Sequence, residues 1–249
     1  MMRDDAAGLL AGLFRDADRV VVFTGAGIST ESGIPDFRSP GGLWTRMEPI
    51  AFGDFMRSEA ARLEDWRRRF DMLERFARAE PNVAHRAIGR LARDGKVIAV
   101  ITQNIDGLHQ RGGCPEERLI ELHGNGTRAG CLACDADVPL EGLEEEIERT
   151  GRSPRCPACG GLAKMRIVSF GQAMPEAEIA RAERATLSAD LFVVVGSSLV
   201  VWPAAGFPLL AKRNGTRLAI VNRDPTDHDE VADHVIRGSI GAAFGLLAD

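Results

Sequence analysis

Five short runs, residues 20–23, 97–101, 119–122, 191–195 and 218–221, consist almost wholly of Val, Ile, Leu, Phe and Ala. Several are apolar at every position rather than at alternate ones, the pattern of strands covered on both faces. Residues 235–236 form a sixth, shorter candidate. Helix-like segments separate these runs: residues 6–15, 83–93 after Pro81, 176–185 after Pro175, and 204–213 after Pro203, the last closed by Asn214-Gly215. Strands alternating with helices predict an α/β fold around a parallel sheet. A chain of 249 residues is long enough for one large core and a smaller second one.

Two stretches break the alternation. Residues 39–80 are far longer than one crossover helix requires, and within them residues 57–78 carry seven Arg and five acids around Leu63, Trp66, Phe70, Leu73 and Phe76. That composition predicts a solvated amphipathic helix. Residues 126–164 hold two Cys-x-x-Cys pairs, Cys131 with Cys134 and Cys156 with Cys159, spaced by 21 residues. Two knuckles, each offering two thiolates, can close a tetrahedron about zinc, and Gly130, Pro157, Gly160 and Gly161 are suitable knuckle residues. Four protein ligands leave no open position for water, so the expected zinc is structural. Cys114 falls outside this spacing. The two insertions, 39–80 and 126–164, are expected to form one small domain beside a larger one built from 1–38, 81–125 and 165–249.

The first strand runs directly into Gly25-Ala26-Gly27. Glycine permits a sharp turn and lets a diphosphate approach main-chain N–H groups. The third glycine of a Gly-x-Gly-x-x-Gly fingerprint would fall at residue 30, which is Thr, and no acidic residue is supplied by an ordinary following βαβ unit. The dehydrogenase fingerprint is therefore absent, while a phosphate cradle remains open beside a plain structural turn. Gly196, Ser197 and Ser198 after the fourth strand, and Asn222 after the fifth, are small or hydrogen-bonding residues at the same edge. In open α/β sheets ligands collect outside the carboxyl ends of strands.

Gln103, Asn104 and Asp106 follow the second strand. Burying amide and carboxylate side chains without partners is costly, so the cluster predicts a site that reads hydroxyls or a carboxamide, with helix capping as the alternative use. His123 follows the third strand at the same predicted edge and can titrate near neutral pH, which makes it a candidate general base. No role is expected for His85, His109, His228 or His234.

Charge and hydropathy exclude several classes. With 31 basic against 36 acidic residues, the chain does not lean toward phosphate backbones, and nucleic acid is not an expected partner. The longest apolar run, 191–202, is interrupted by Gly196, Ser197 and Ser198 and falls short of the ~18 residues a membrane span suggests. The first residues, Met1 to Asp5, show no basic start leading into an apolar run. With paired cysteines at metal spacing, these features predict a cytoplasmic protein without membrane contact.

Taken together, these residues resemble the sirtuin family of NAD-dependent protein-lysine deacylases. The stretch Gly25-Ala-Gly-Ile-Ser-Thr-Glu-Ser-Gly-Ile-Pro-Asp-Phe-Arg38 is similar to that family's first motif, Thr102-Gln-Asn-Ile-Asp-Gly-Leu-His109 to its second, and Glu121-Leu-His-Gly-Asn125 to its third. The cysteine pairs, Val168-Ser-Phe-Gly171, Gly196-Ser-Ser-Leu199 and Val221-Asn222 follow in the family order, so the resemblance spans roughly residues 15–245.

The resemblance implies a Rossmann-like parallel-sheet domain with a smaller zinc-binding and helical domain, NAD and acyl-lysine meeting between them. It implies that Gly25, Ala26, Gly27, Thr30, Asp36, Phe37 and Arg38 form the cofactor loop. Gln103 would hold the nicotinamide ribose, and Asn104, Ile105 and Asp106 the nicotinamide pocket. Gly196, Ser197, Ser198, Asn222, Ser239 and Ile240 would meet the adenosine half. Val168 and Phe170 would wall the acyl-lysine tunnel, and the substrate peptide would add as a strand near Gly171 and Val200. Nicotinamide would depart as the acyl oxygen attacks the ribose carbon, and His123 would take a proton from the ribose diol. The products implied are lysine, nicotinamide and O-acyl-ADP-ribose. Where many members carry an acid after Phe-Gly, this chain has Gln172. The spacing of Trp66 and Arg69 is similar to the Tyr-x-x-Arg by which acidic-acyl-selective members hold a carboxylate, with Trp in place of Tyr. The alternatives are a mono-ADP-ribosyltransferase using the same pocket and a non-catalytic zinc-ribbon binding module.

Overall fold

In a computed structural model, which describes residues 3–36, 42 and 48–248, the expected strands form one six-stranded parallel sheet. The strands are β1 (Val20–Thr24), β2 (Val97–Thr102), β3 (Leu119–Glu121), β7 (Leu191–Val195), β8 (Arg217–Val221) and β9 (His234–Ile236). Their spatial order is β3-β2-β1-β7-β8-β9, with every neighbouring pair parallel. This is a doubly wound sheet whose order reverses between β1 and β7.

Both faces are covered, as all-apolar strands require. Val20, Val22, Val100, Val193 and Val195 pack on one face with Leu10, Phe14, Ile88 and Phe244. These come from or adjoin α1 (Arg3–Asp16), α4 (Val83–Arg93) and α9 (Ile240–Ala243). Val21, Phe23, Ile101, Phe192 and Val194 point to the other face, against Ala182 of α7 (Glu176–Ser188) and Phe207 and Ala211 of α8 (Gly206–Arg213). The helix expected from residue 204 begins two residues later, at Gly206, because residues 201–205 are spent in turns at the strand's carboxyl end.

The second core lies in the insertions. The long one contains α2 (Phe52–Arg57) and α3 (Glu59–Arg78), separated at Ser58, whose Oγ accepts the Ala61 N–H at 3.2 Å and so caps α3. The cysteine-bearing one contains β4 (Gly124–Cys131), β5 (Asp137–Val138) and α6 (Leu143–Thr150) and leads into β6 (Ala163–Ile167). These strands form an antiparallel sheet of order β5-β4-β6, which the sequence did not announce. Trp66 of α3 packs with Ala129, Val138, Leu143, Ala163, Met165 and Ile167 in one cluster. The amphipathic helix is thus less solvated than its charge suggested: Trp66 and Phe76 are buried, and Arg62 and Asp65 with them.

Candidate active site

The sheet reverses order where β1 and β7 end, and the chain there is glycine because two loops touch backbone to backbone. A Cβ on Gly25 would stand 2.8 Å from the Gly196 carbonyl oxygen, and one on Gly196, at φ +64°, would stand 2.3 Å from the Ile28 nitrogen. Gly27 N–H donates to Gly196 O at 2.8 Å, and the chain after it winds into a short 3-10 helix, Ala26–Ser32.

A cleft of about 690 Å³ opens at this crossing, within the ~300–1,000 Å³ range of cofactor and small-molecule sites. Gly25, Ala26, Gly27, Thr30 and Asp36 line it from the β1 loop, and Gln103, Asn104 and Ile105 from the β2 loop. His123 enters after β3, Gly196, Ser197 and Ser198 after β7, and Asn222, Ser239 and Ile240 from the far end. Val168, Phe170 and Gly171 form the wall nearest the small domain. Two expected residues stand apart. Val200 is exposed beside the lining residues Val201 and Trp202, and Asp106 lines a small adjoining pocket with Ser29, Asn104 and Phe76. Phe37 and Arg38 lie outside the described residues.

The polar groups of the β2 loop are tied to the β1 and β7 loops. Gln103 Nε2 donates to Ser197 Oγ at 2.9 Å, and Asn104 Nδ2 donates to Gly25 O and to Ser29 Oγ, each at 3.2 Å. Ser29 Oγ in turn donates to Asp106 Oδ2 at 2.7 Å, while Asp106 Oδ1 accepts the Leu108 N–H at 2.9 Å. Burial pushes the Asp106 carboxyl above its ordinary value, against the Leu108 N–H and the Ser29 hydroxyl that pull it down. This is more than helix capping: one hydrogen-bonded chain runs from the β1 turn to Asp106. At the far end, Ser239 is committed locally, its Oγ accepting the Ala242 N–H at 3.1 Å at the start of α9.

His123 Nδ1 lies 3.1 Å from the Gln103 carbonyl oxygen. A carbonyl only accepts, so Nδ1 carries the proton and Nε2 keeps a lone pair. Burial lowers the imidazole's pKa below its ordinary 6.5, with the Gln103 carbonyl opposing that shift, so the ring is a neutral base at pH 7.

The sulfurs of Cys131, Cys134, Cys156 and Cys159 all lie within 4.8 Å of one another, with Cys131 and Cys159 at 3.5 Å and Cys134 and Cys156 at 3.7 Å. Zn–S bonds of about 2.3 Å in a tetrahedron require sulfurs just under 4 Å apart, so the four fit zinc. The Ala133 and Gly161 N–H groups donate to the Cys131 and Cys159 sulfurs at 3.3 and 3.4 Å, as knuckles do. A Cβ on Gly161 would stand 2.9 Å from the Cys131 sulfur, which accounts for that glycine.

Several lining residues carried no motif in the sequence. Ile167 ends a strand that charges at 164 and 166 concealed, and Trp202 presents an exposed indole at the mouth. Of the Trp66–Arg69 pair that the sequence singled out, Arg69 reaches the cleft, where its Nη2 donates to the buried Asp65 at 3.0 Å, while Trp66 is buried in the small core.

Comparison with known proteins agrees with this geometry. The model of the Sir2 family matches residues 25–203. A protein of Bradyrhizobium diazoefficiens named NAD-dependent protein deacetylase 1 is 54% identical over 236 residues, covering 95% of this chain and 92% of its own. A Rhodopseudomonas palustris protein named NAD-dependent protein deacetylase is 53% identical, with 95% and 93% covered. Among solved structures, one described as Sir2 with a p53 peptide and NAD+ superposes with a TM-score of 0.85 at 35% identity, covering 99% of this chain and 98% of that one.

Proposed function

The chain belongs to the Sir2 family, and from that premise we infer that it is an NAD-dependent protein-lysine deacylase. It transfers the acyl group of an acyl-lysine to ADP-ribose and releases nicotinamide. The observation that carries this reading is one cleft, at the sheet's switch point, holding both the glycine cradle and a neutral imidazole with a bare Nε2.

Bound NAD supplies an activated ribose carbon with nicotinamide as its leaving group. The residues of the chain bind, orient and move a proton. Gly25 and Gly27 carry no Cβ, which favours close approach of a diphosphate to the turn. Asn104 and Asp106, preorganised by Ser29, are suited to fixing a carboxamide before reaction. Gln103 and Ser197, bonded to each other in the cleft lining, are suited to ribose hydroxyls. His123 Nε2 is the atom we assign to accept a proton from the ribose diol.

The apolar wall of Ile105, Ile167, Val168 and Phe170 favours a neutral acyl chain, and Asp65 offsets the charge of Arg69, which also lines the cleft. This argues against a preference for succinyl or malonyl groups. Gly171 and the 198–202 loop flank the mouth and suit an added peptide strand. Zinc would be held by Cys131, Cys134, Cys156 and Cys159 as a closed structural site. The shared core of Trp66, Ala129, Val138 and Ala163 supports grouping 39–80 with 126–164 as the small domain. No helix of the described residues is long and apolar enough to cross a membrane; four cysteines grouped at metal spacing rather than in disulfides support a reducing, cytoplasmic setting.

The test is a panel of acetyl-, propionyl- and succinyl-lysine peptides with NAD, read by O-acyl-ADP-ribose and nicotinamide. Acetyl turnover is expected, and succinyl turnover lower. H123A should lower kcat by about 10²–10⁴-fold with zinc content and melting unchanged. Labelled ADP-ribose appearing on protein without any acyl-lysine would instead favour the mono-ADP-ribosyltransferase alternative.

A further inference from the structure

Lys164 is 2% exposed, on β6, with no contact of its own to the cleft. Its Nζ donates to the Ile167 carbonyl oxygen at 2.5 Å. The same peptide unit is held at its other end, because the Val168 N–H donates to the His123 carbonyl oxygen at 2.9 Å. One peptide plane is therefore pinned from both sides, and the side chains on either side of it, Ile167 and Val168, line the cleft next to His123. A buried ammonium is costly, and a Met of similar volume would fill the space at less cost. What the ammonium adds is a strong donor at one carbonyl.

We propose that Lys164 is a positioning residue that fixes the Ile167–Val168 peptide plane against His123, and so sets the wall that receives the acyl-lysine. The proposal rests on the deacylase reading for its kinetic consequence, although the positioning itself does not.

The surroundings of Nζ make the device sensitive to alkali. Phe55 of α2 presents its ring 5.9 Å from Nζ, and the charged groups facing it from α3 are Asp65 and Arg69. Burial lowers the ammonium to about 8, with Asp65 opposing and Arg69 adding to the shift. Above that pH the donor becomes a neutral amine, and the hold on Ile167 O weakens.

The experiment compares wild type, K164R and K164M in zinc-loaded protein. With an acetyl-lysine peptide, wild-type kcat/KM should fall above about pH 8, while K164R, whose guanidinium stays charged, should remain flat to about pH 10. K164M at pH 7 should raise the peptide KM about tenfold and leave the NAD KM unchanged, the effect of losing one charge-assisted hydrogen bond. Hydrogen exchange at the Val168 amide should quicken about tenfold in K164M and be restored in K164R. This last readout stands whether or not any peptide turns over, so inactive wild-type protein would count against the deacylase and not against Lys164. Val168 exchange and peptide KM both at wild-type values in K164M, or an alkaline limb that persists in K164R, would overturn the proposal.

Discussion

At the scale of single residues, the histidines divide by where their protons go. His123 keeps one nitrogen toward the cleft, whereas His85 and His109 are buried behind it, ring centroids 5.0 Å apart and edge to face. The Asn82 N–H donates to His85 Nδ1 at 3.4 Å, and His109 Nε2 meets Thr24 Oγ1 at 2.9 Å. Burial drives His85 down to about 2, with the His109 and Arg86 charges adding to it, and burial alone drives His109 to about 4. Both are folded neutral. The unfolded chain takes up their protons below pH 6.5 and the folded chain does not, so stability falls as pH falls from 6.5 toward those lower values. Each such group contributes a slope of about 1.4 kcal/mol per pH unit, so the pair should cost about 2–3 kcal/mol between pH 5.5 and 4.5. Urea unfolding at those two pH values checks this, and an equal free energy at both would refute it. His85 falls in the helix expected over 83–93, but nothing in the sequence told that it faces His109, since the two meet only through the packing of α4 against α5 (Leu108–Arg111).

At the scale of elements, the parallel sheet was legible because its strands are apolar on both faces, and their limits follow the runs to within a residue. The antiparallel sheet was not. Strand β4 reads GNGTRAGC, with three glycines and no β-branched residue except Thr127, and β6 places Lys164 and Arg166 between its apolar residues. Neither has the composition that marks a strand, and both are held by pairing with each other and by the core around Trp66. Glycine carried more information at the β1–β7 crossing. Gly196→Ala puts a Cβ at 2.3 Å from Ile28 N and 2.6 Å from Gly27 C in a left-handed residue, contacts made with backbone that cannot swing aside. It should cost about 2–4 kcal/mol, from the left-handed penalty and overpacking together, and weaken NAD binding. Gly33 provides the control: its φ is +86° but nothing lies within 4 Å of its Cβ position, so Gly33→Ala should cost only about 1–2 kcal/mol. Thermal melting and NAD titration separate the two, and equal losses would show that the loop crossing adds nothing to backbone strain.

At the scale of the whole molecule, the cleft takes one wall from each core, and this decides what the metal does. Most of the cleft's lining at the parallel sheet's edge was legible, because the motifs at Gly25, Gln103, His123, Gly196 and Asn222 follow recognisable strand ends. The wall toward the small core was only partly so: the Trp66–Arg69 spacing pointed to Arg69, but Ile167 and Trp202 reach the cleft through the placement of β6 and the 198–202 loop, which no local pattern encodes. Ile167 is also a member of the small core with Trp66, Ala129 and Met165, and Cys131 ends the strand β4 that pairs with β6. Among the described residues this core has seven buried members and five partly buried ones packed on them, too few to hold its shape without a crosslink, so the four thiolates and their zinc supply what burial does not. The six-stranded sheet has its own two-sided core and needs no metal. Zinc removal by a chelator, or Cys131→Ser, should therefore melt the small sheet first, displacing Ile167 and Val168 while β1 and β7 stay paired. Two thermal transitions should replace one, and acyl-peptide affinity should fall at least tenfold further than NAD affinity, a difference of about 1.4 kcal/mol. Calorimetry of the metal-free protein, with titrations of each ligand, is the check. A single concerted transition with both affinities lost together would mean that the parallel sheet depends on the zinc module for its own stability.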